Sequence, residues 1–417
     1  MHMFVPAFVD ELFEKVYIKC SALLNKVIRM DLGENPEYSK KSTLDIYVCA
    51  GVNESYIQST VNELSAGRLI LGKISDFEHI QSADTVLNRI KQKDPKEILA
   101  EARKANDKII DKAVQKGAFE DPFTVALDSH NVYRHTKIKR EKDRKKKCDD
   151  IQKVVGTKPK GSCTKAHQYM TIKAIDTDYR YTLDIEPVLP LKNRVKIAEQ
   201  LINSAEKRTQ GRIDCILGDG DFDSVAMINM FYTKKKHFVV RADQDSKVKK
   251  VIEKCKGLWC YIEYGYRKGK GKHTATYNLV VIDVKALKKY KIELPLADKR
   301  KVKYIVFGTD LAPKPNESDL DFCIALAKLH KKRWGIETGY RDKIEFRGKT
   351  HALSYSVRLF FFLLSVIMYN LWVQININYK ESPGRVKMFP DGIPKSFIGF
   401  LFVLAVLLIL NESTEPI

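Results

Sequence analysis

Hydrophobic side chains recur at helical spacing through the N-terminal part of the chain. Over residues 1–118 the apolar positions follow a period of three to four, for example in residues 8–28 and 98–113. This period predicts amphipathic helices that pack their apolar faces together. The pattern therefore predicts an N-terminal helical domain over residues 1–120.

Two of these predicted helices are joined by a short connection. Ser42, followed by Asp45 three residues later, is placed to cap a helix that ends before Gly51, and a second amphipathic run extends to Leu64. A glycine between two such helices is typical of a helix-turn-helix, whose second helix binds DNA. Tyr47 is bulky for its place in that motif, and two ordinary helices joined at a glycine C-cap explain the pattern equally well.

The period changes to that of strands near residue 123. Short apolar or alternating runs predict strands, and the amphipathic stretches between them predict helices. The predicted strands are residues 123–127, 169–175, 181–189, 213–217 and 237–242, and the predicted helices are residues 191–207 and 224–232. The order predicts an α/β fold, a mixed sheet flanked by helices, whose first part covers residues 121–242.

A β-rich segment, residues 243–316, interrupts this order. It contains alternating patterns at residues 259–266 and 274–284, separated by a turn rich in glycine and lysine at residues 267–273. We therefore predict an insertion in the core. The core resumes with residues 317–380.

The resumed core begins with a helix that Ser318 and Asp321 are placed to cap. An almost wholly apolar helix follows at residues 355–375, and residues 381–417 form an apolar C-terminal helix or tail. The apolar runs either contain polar residues or fall short of the roughly twenty residues that a membrane span needs. We predict buried helices and no membrane contact, and a membrane-anchored basic protein is the alternative.

The composition is that of a globular protein with a large positive charge. Among 417 residues, 44% are hydrophobic, and 73 Lys and Arg against 52 Asp and Glu give a net charge of +21. These values exclude a disordered or fibrous chain and indicate a polyanionic partner. The first residues lack a basic leader, and the eight cysteines are dispersed without a Cys-x-x-Cys pair, so we expect a cytoplasmic protein, nucleoid-associated when bound to DNA.

The charge is concentrated in one segment, residues 131–160, which has twelve basic and four acidic side chains. Its candidate DNA-binding residues are Arg144, Lys145, Lys146, Lys147, Lys158 and Lys160. A run of charge is usually a solvated loop, but this one is also suited to phosphate contacts because lysine and arginine displace the counterions of DNA.

Two aspartates mark the ends of predicted strands. Asp128 follows the apolar run 123–127, and Asp219 follows the run 213–217. Ligands bind beyond the carboxyl ends of strands in open α/β sheets, so the two carboxylates converge if the strands are neighbours. Either aspartate taken alone is more typical of a turn or a helix cap.

A third acid lies on the helix after the insertion. Arg333 falls on the apolar face that should contact the sheet, and Glu337 lies one turn from both Arg333 and Arg341. A solvent-exposed ladder of charges would show the same spacing. Three converging carboxylates would instead suit two Mg²⁺ ions, because hard cations prefer oxygen ligands and paired ions promote phosphodiester cleavage.

These residues together resemble the DDE transposases of prokaryotic insertion sequences, in the insertion-sequence-four-like group. In that group the second acid opens a motif similar to Asp-Arg-Gly-Phe-Asp-Ser, and this chain has Asp219-Gly220-Asp221-Phe222-Asp223-Ser224. Because Gly220-Asp221 replaces Arg-Gly, Asp221 remains an alternative to Asp219. The resemblance covers residues 123–374.

The third motif of the group is Tyr, two residues, Arg, three residues, Glu, six residues, Lys. Arg333 and Glu337 have this interval, whereas His330 takes the tyrosine position and Ile344 the lysine position, with Lys343 one residue early. The tasks that the group gives to that tyrosine and lysine are therefore in question.

The resemblance implies a ribonuclease-H-like core and a DNA transposase that cuts element ends and joins the freed 3′-hydroxyl to target DNA. Asp128, Asp219 and Glu337 would hold two Mg²⁺ ions, for which Mn²⁺ can substitute, and Arg333, Arg341 and Lys343 would contact DNA. The expected partners are terminal inverted repeats, target DNA and a second copy of the chain on that DNA. A catalytically inactive DNA-binding derivative is the alternative function.

Overall fold

The computed structural model describes residues 19–30, 38–70, 80–134, 153–175, 180–190, 192–210, 212–292, 303–333, 346–352 and 354–380. The chain divides into two compact units. The first comprises Met1–Gln115, Lys137–Lys153 and Tyr340–Ile417, and the second comprises Lys116–Thr136 and Val154–Gly339.

The described helices and strands are numbered in chain order. The helices are α1 (Lys19–Val27), α2 (Lys40–Val52), α3 (Ile57–Ile70), α4 (Ala83–Lys91), α5 (Pro95–Gln115), α6 (Arg194–Arg208), α7 (Val225–Thr233), α8 (Ser246–Lys254), α9 (Val284–Lys289), α10 (Asp319–Lys331) and α11 (Tyr355–Lys380). The strands are β1 (Phe123–Tyr133), β2 (Val155–Lys160), β3 (Cys163–Ala174), β4 (Thr182–Val188), β5 (Ile213–Gly218), β6 (His237–Arg241), β7 (Cys260–Lys270), β8 (His273–Asp283) and β9 (Tyr304–Thr309).

The apolar helix α11 is the core of the helical unit, where it packs on α5, α4 and α2. Its segment Tyr355–Ile377 is long and apolar enough to cross a membrane, with a mean hydropathy of 1.7, but 89% of the most apolar stretch is buried. A buried hydrogen bond between Asn370 and Asn106 joins α11 to α5. The sequence pattern assigned this helix to the α/β core, because an apolar stretch shows that it is buried but not what covers it.

The connection between α2 and α3 differs in detail from the helix-turn-helix expectation. The N-cap of α2 is Ser39, whose side chain accepts a hydrogen bond from Ser42 N, so Ser42 is inside the helix. The left-handed residue is Glu54, with φ 49°. Gly51 instead allows a close approach, because a Cβ there would lie 2.7 Å from the carbonyl oxygen of Phe346. Two joined helices are confirmed, and DNA recognition by them remains a prediction.

The second unit is built on one mixed sheet of nine strands among the described residues. Its strand order is β2-β3-β1-β5-β6-β9-β8-β7, and β4 also pairs with β3. β3 is antiparallel to β1 and β4, whereas β1, β5 and β6 are parallel to one another. The predicted α/β architecture is confirmed, with the carboxyl ends of three parallel strands at one edge.

The β-rich segment does not form a separate sheet. β9 pairs antiparallel with β6, and β8 and β7 follow it, so the segment extends the main sheet. The alternating pattern predicted the strands correctly. It could not show their pairing partner, because an alternating strand fits any edge with a matching apolar face.

The helix α10 begins as predicted, with Ser318 Oγ accepting a hydrogen bond from Asp321 N at 3.1 Å. It ends at Lys331, and Arg333 follows in a turn. Residues 334–345 lie outside the described part of the chain, and with them the predicted site residues Glu337, Arg341 and Lys343.

Candidate active site

The pairing of β1 with β5 brings the two predicted aspartates to one place. The strands are parallel neighbours, and Ala126 is the register partner of Leu217. Asp128 and Asp219 each follow these partners by two residues, so their side chains leave the same face of the sheet. Adjacent strands are about 4.8 Å apart, so the register brings the two residues to neighbouring strand ends. The two strands are therefore neighbours, which was the condition for the predicted convergence, and the convergence of the carboxylates themselves stays a prediction.

Asp128 is buried, and its carboxylate contacts Arg333. Its side chain is 11% exposed, and its Oδ2 lies 3.9 Å from Arg333 Nη1. Its Oδ1 accepts a hydrogen bond from Ser129 N at 2.8 Å. Arg333 is also buried, as its position on the apolar face of the predicted helix required. A guanidinium thus sits directly against the first acid.

Asp219 caps the 3₁₀ turn Gly220–Phe222 that follows β5, and its Oδ1 accepts a hydrogen bond from Asp221 N at 2.9 Å. Burial raises the pKa of Asp219, and the charge of Asp221 raises it further. Arg333, the hydrogen bond from Asp221 N and Arg194 act in the opposite direction. Arg333 therefore influences both acids of the pair.

Asp221, the alternative second acid, is in a more open position. Its side chain is 50% exposed, and its Oδ2 lies 3.1 Å from Arg194 Nη2. The same nitrogen of Arg194 donates to Ser129 Oγ at 3.0 Å. Arg194, at the start of α6, was not identified from the sequence, because nothing in the local pattern shows that this helix begins beside β1 and β5.

His330 fastens α10 to the strand that carries Asp219. Its Nε2 donates a hydrogen bond to the Gly218 carbonyl oxygen at 3.2 Å, and its ring lies 4.7 Å from that of Phe307. Burial, and secondarily Arg333, lowers the pKa of His330 to about 3. The imidazole is therefore neutral at physiological pH. At the tyrosine position of the resembled motif, this chain has a buried side chain that holds the end of β5.

Asp223 has a separate set of partners in the second unit. Its fully buried carboxylate pairs with Lys268, accepts a hydrogen bond from Asp243 N at 2.8 Å, and lies 3.3 Å from Tyr277 Oη. Lys268 and Tyr277 belong to the β7–β8 hairpin. The spacing of three aspartates at alternate positions was visible in the sequence, but the partners of the third were not.

The remaining predicted DNA-binding residues are only partly described. Lys158 is exposed on β2, and for Lys160 the backbone alone is described. The cluster Arg144, Lys145, Lys146 and Lys147 lies outside the described residues. Their role in DNA binding stays a prediction.

The two acids suit a divalent cation chemically. Both offer hard carboxylate oxygens, the type of ligand that such cations prefer, and burial raises the pKa of Asp219. Within the described residues no group of three or more Asp, Glu, His or Cys side chains has a metal-binding arrangement. The predicted third ligand, Glu337, is not among them.

The fold is similar to that of a solved transposase. A piggyBac transposase, determined as a synaptic complex with hairpin DNA, matches 100% of this chain and 83% of its own, with a TM-score of 0.54 and 11% sequence identity. No protein-family model matches the chain, and no curated protein matches it significantly. The chain therefore shares a transposase fold, and the comparisons do not support its placement in the insertion-sequence-four-like group.

Proposed function

We propose that this protein is a DNA transposase that cleaves the ends of a mobile element and joins them to target DNA. The observation that carries the proposal is the parallel register of β1 and β5, which brings Asp128 and Asp219 to neighbouring strand ends, with Arg333 against Asp128. The similarity of the fold to that of a solved transposase, over 100% of this chain and 83% of the other, supports the proposal. We further propose that β4, β3, β1, β5 and β6 form the ribonuclease-H-like core.

In the proposed reaction, water attacks a phosphodiester at the element end and the bond from phosphorus to the 3′ oxygen breaks. The freed 3′-hydroxyl then attacks a phosphodiester of the target, and a second 3′-hydroxyl leaves. Arg333 balances the charge of the carboxylates and, once a phosphate enters, can donate to its oxygens in a bidentate manner. His330 is not a proton carrier, because its pKa is lowered to about 3.

Asp128 and Asp219 would hold divalent cations, with Glu337 as the proposed third ligand. Such cations would lower the pKa of the attacking water and stabilise the leaving oxygen. Asp219 is the better ligand of the alternative pair, because it directly follows β5, whereas Asp221 is half exposed and paired with Arg194. Burial favours the neutral form of Asp219, which a nearby cation would counteract.

Strand cleavage of DNA tests the proposal. Purified protein should nick a duplex carrying the terminal repeat in Mg²⁺ or Mn²⁺. Asp128→Asn, Asp219→Asn and Glu337→Gln should each reduce the rate by at least 100-fold, on the order of the contribution of a group that acts in the transition state. Asp221→Asn is the matched control and should retain most activity.

Three outcomes would change the assignment. Wild-type rates in all three variants would show that the chemistry lies elsewhere. Sequence-specific DNA binding without any cleavage, in wild type as in the variants, would support the catalytically inactive derivative. Reduced activity in Asp221→Asn with normal activity in Asp219→Asn would exchange the roles of the two aspartates.

A further inference from the structure

The β7–β8 hairpin carries a strongly basic tip. Its seven residues, Arg267 to His273, include four Lys or Arg and no acid. Arg267, Lys270 and Lys272 are exposed, whereas Lys268 turns inward to pair with Asp223. Lys268 therefore stabilises the fold, and the three exposed cations can contact a ligand.

The tip is held against the start of α7, the helix that follows the Asp219 turn. Gly269 lies close to α7, because a Cβ on it would be 3.0 Å from Val225 Cγ2. The tip is also bonded to α8, where Lys247 Nζ donates to the Gly269 carbonyl oxygen at 3.2 Å. The returning strand β8 is bonded along α7, because Asn229 Nδ2 donates to the Thr274 carbonyl at 3.1 Å. The hairpin is thus fixed along the length of this helix.

Asp223 connects this hairpin with the acid-bearing turn. It lies four residues after Asp219, and its buried carboxylate contacts Lys268 on β7 and Tyr277 on β8. It also accepts a hydrogen bond from the backbone N of Asp243, which lies just after the end of β6. One side chain therefore ties together the turn after β5, the chain after β6 and both strands of the hairpin.

We infer that Asp223 is a positioning residue that holds the basic tip of the β7–β8 hairpin beside the Asp219 turn, where Lys270 and Lys272 contact the phosphate backbone of DNA. The inference rests on the proposed function. The occupant follows from charge, since a cluster of exposed cations without acids attracts a polyanion by counterion release. Lys268, which is held inside, cannot take part in that contact.

Salt-dependent binding of duplex DNA tests the contact. In Lys270→Gln/Lys272→Gln the slope of log K against log salt should become shallower by about 1.8, because each phosphate contact contributes about 0.9. Affinity at low salt should fall roughly tenfold, on the order of one good contact pair. Both side chains are exposed, so the variant should fold normally.

A matched control removes the same charge at the other end of the parallel strands. Lys207 lies shortly before β5 and Lys235 shortly before β6, and both are exposed. The control variant is Lys207→Gln/Lys235→Gln. This variant should keep the wild-type slope. Equal slopes in the tip variant and the control would overturn the inference.

The positioning role has its own readout. Asp223→Asn should raise KM for the cleaved duplex several-fold more than it lowers kcat, and hydrogen exchange in residues 266–275 should accelerate. A fall in kcat at unchanged KM would instead make Asp223 part of the chemistry and refute positioning. Absence of DNA binding by the wild type would defeat the proposed function itself, whereas normal wild-type cleavage with an unaltered tip variant defeats only this inference.

Discussion

The buried pair of Asp223 and Lys268 offers the sharpest test of the energetics of this fold. The Asp223 side chain is 0% exposed and that of Lys268 is 17% exposed. Lys268→Met keeps the aliphatic stem and removes the ammonium, which leaves the carboxylate with Tyr277 and Asp243 N as partners. Breaking a buried pair on one side costs about 3–5 kcal/mol, because one charge remains buried without compensation.

The loss should depend on pH in a defined direction. Burial raises the pKa of Asp223, and Lys268 is the main influence that lowers it. Removing Lys268 therefore raises this pKa further. An acid with a higher pKa in the folded than in the unfolded protein favours folding below its unfolded pKa, and the benefit disappears as pH rises through the folded pKa. Lys268→Met should thus be more destabilised at pH 7 than at pH 5.

The double variant Lys268→Met/Asp223→Asn provides the control. It leaves no charge at this buried position, and the asparagine oxygen can still accept a hydrogen bond from Asp243 N, so its stability should return to within about 1–2 kcal/mol of wild type. Urea unfolding gives the free energy of unfolding of both variants. Hydrogen exchange of the β7–β8 amides shows whether the loss is local to the hairpin. A single-variant loss below about 1 kcal/mol, or a double variant as unstable as the single one, contradicts the reasoning.

Three further changes test the surroundings of the acids. His330→Phe removes the donor to the Gly218 carbonyl and should cost about 1–3 kcal/mol in thermal unfolding at pH 7. Because the pKa of this buried His330 is lowered to about 3, wild-type stability should fall as pH drops below the unfolded value near 6.5, and the variant should show a flatter decline. Arg333→Gln removes a cation that acts on both Asp128 and Asp219. Without this repulsion, Mn²⁺ should bind roughly tenfold more tightly in titrations followed by electron paramagnetic resonance, and the rate of cleavage should fall. Gly218→Ala places a Cβ 2.9 Å from that of Phe222 and should lower stability by about 1–3 kcal/mol, and an unchanged melting temperature would show that the turn adapts freely.

Periodicity alone predicted much of the α/β unit, because strand and helix patterns are local properties of the chain. The strand that contains Asp128 and the strand that ends just before Asp219 were identified, and Ser318 caps its helix as expected. Local pattern also placed Arg333 on a buried face. These are features that one or two turns of backbone decide.

Pairing across long separations was not predictable in the same way. The strand β9 joins β6 and so merges the β-rich segment with the main sheet. The apolar helix α11 packs among the N-terminal helices. In both cases the sequence showed an apolar face, while the partner depended on which complementary surface the whole chain made available.

The sequence by itself determined that the chain is basic and globular and that two acids stand at strand ends. Charge and periodicity are local properties of the chain and do not depend on which residues come into contact. Only the tertiary structure decided what surrounds them. Arg194 reaches Asp221, His330 holds the end of β5, and the buried Asp223 binds a hairpin more than forty residues away. Such contacts join residues remote in sequence, and their energies depend on burial and on distances of a few ångströms, which exist only once the chain is folded.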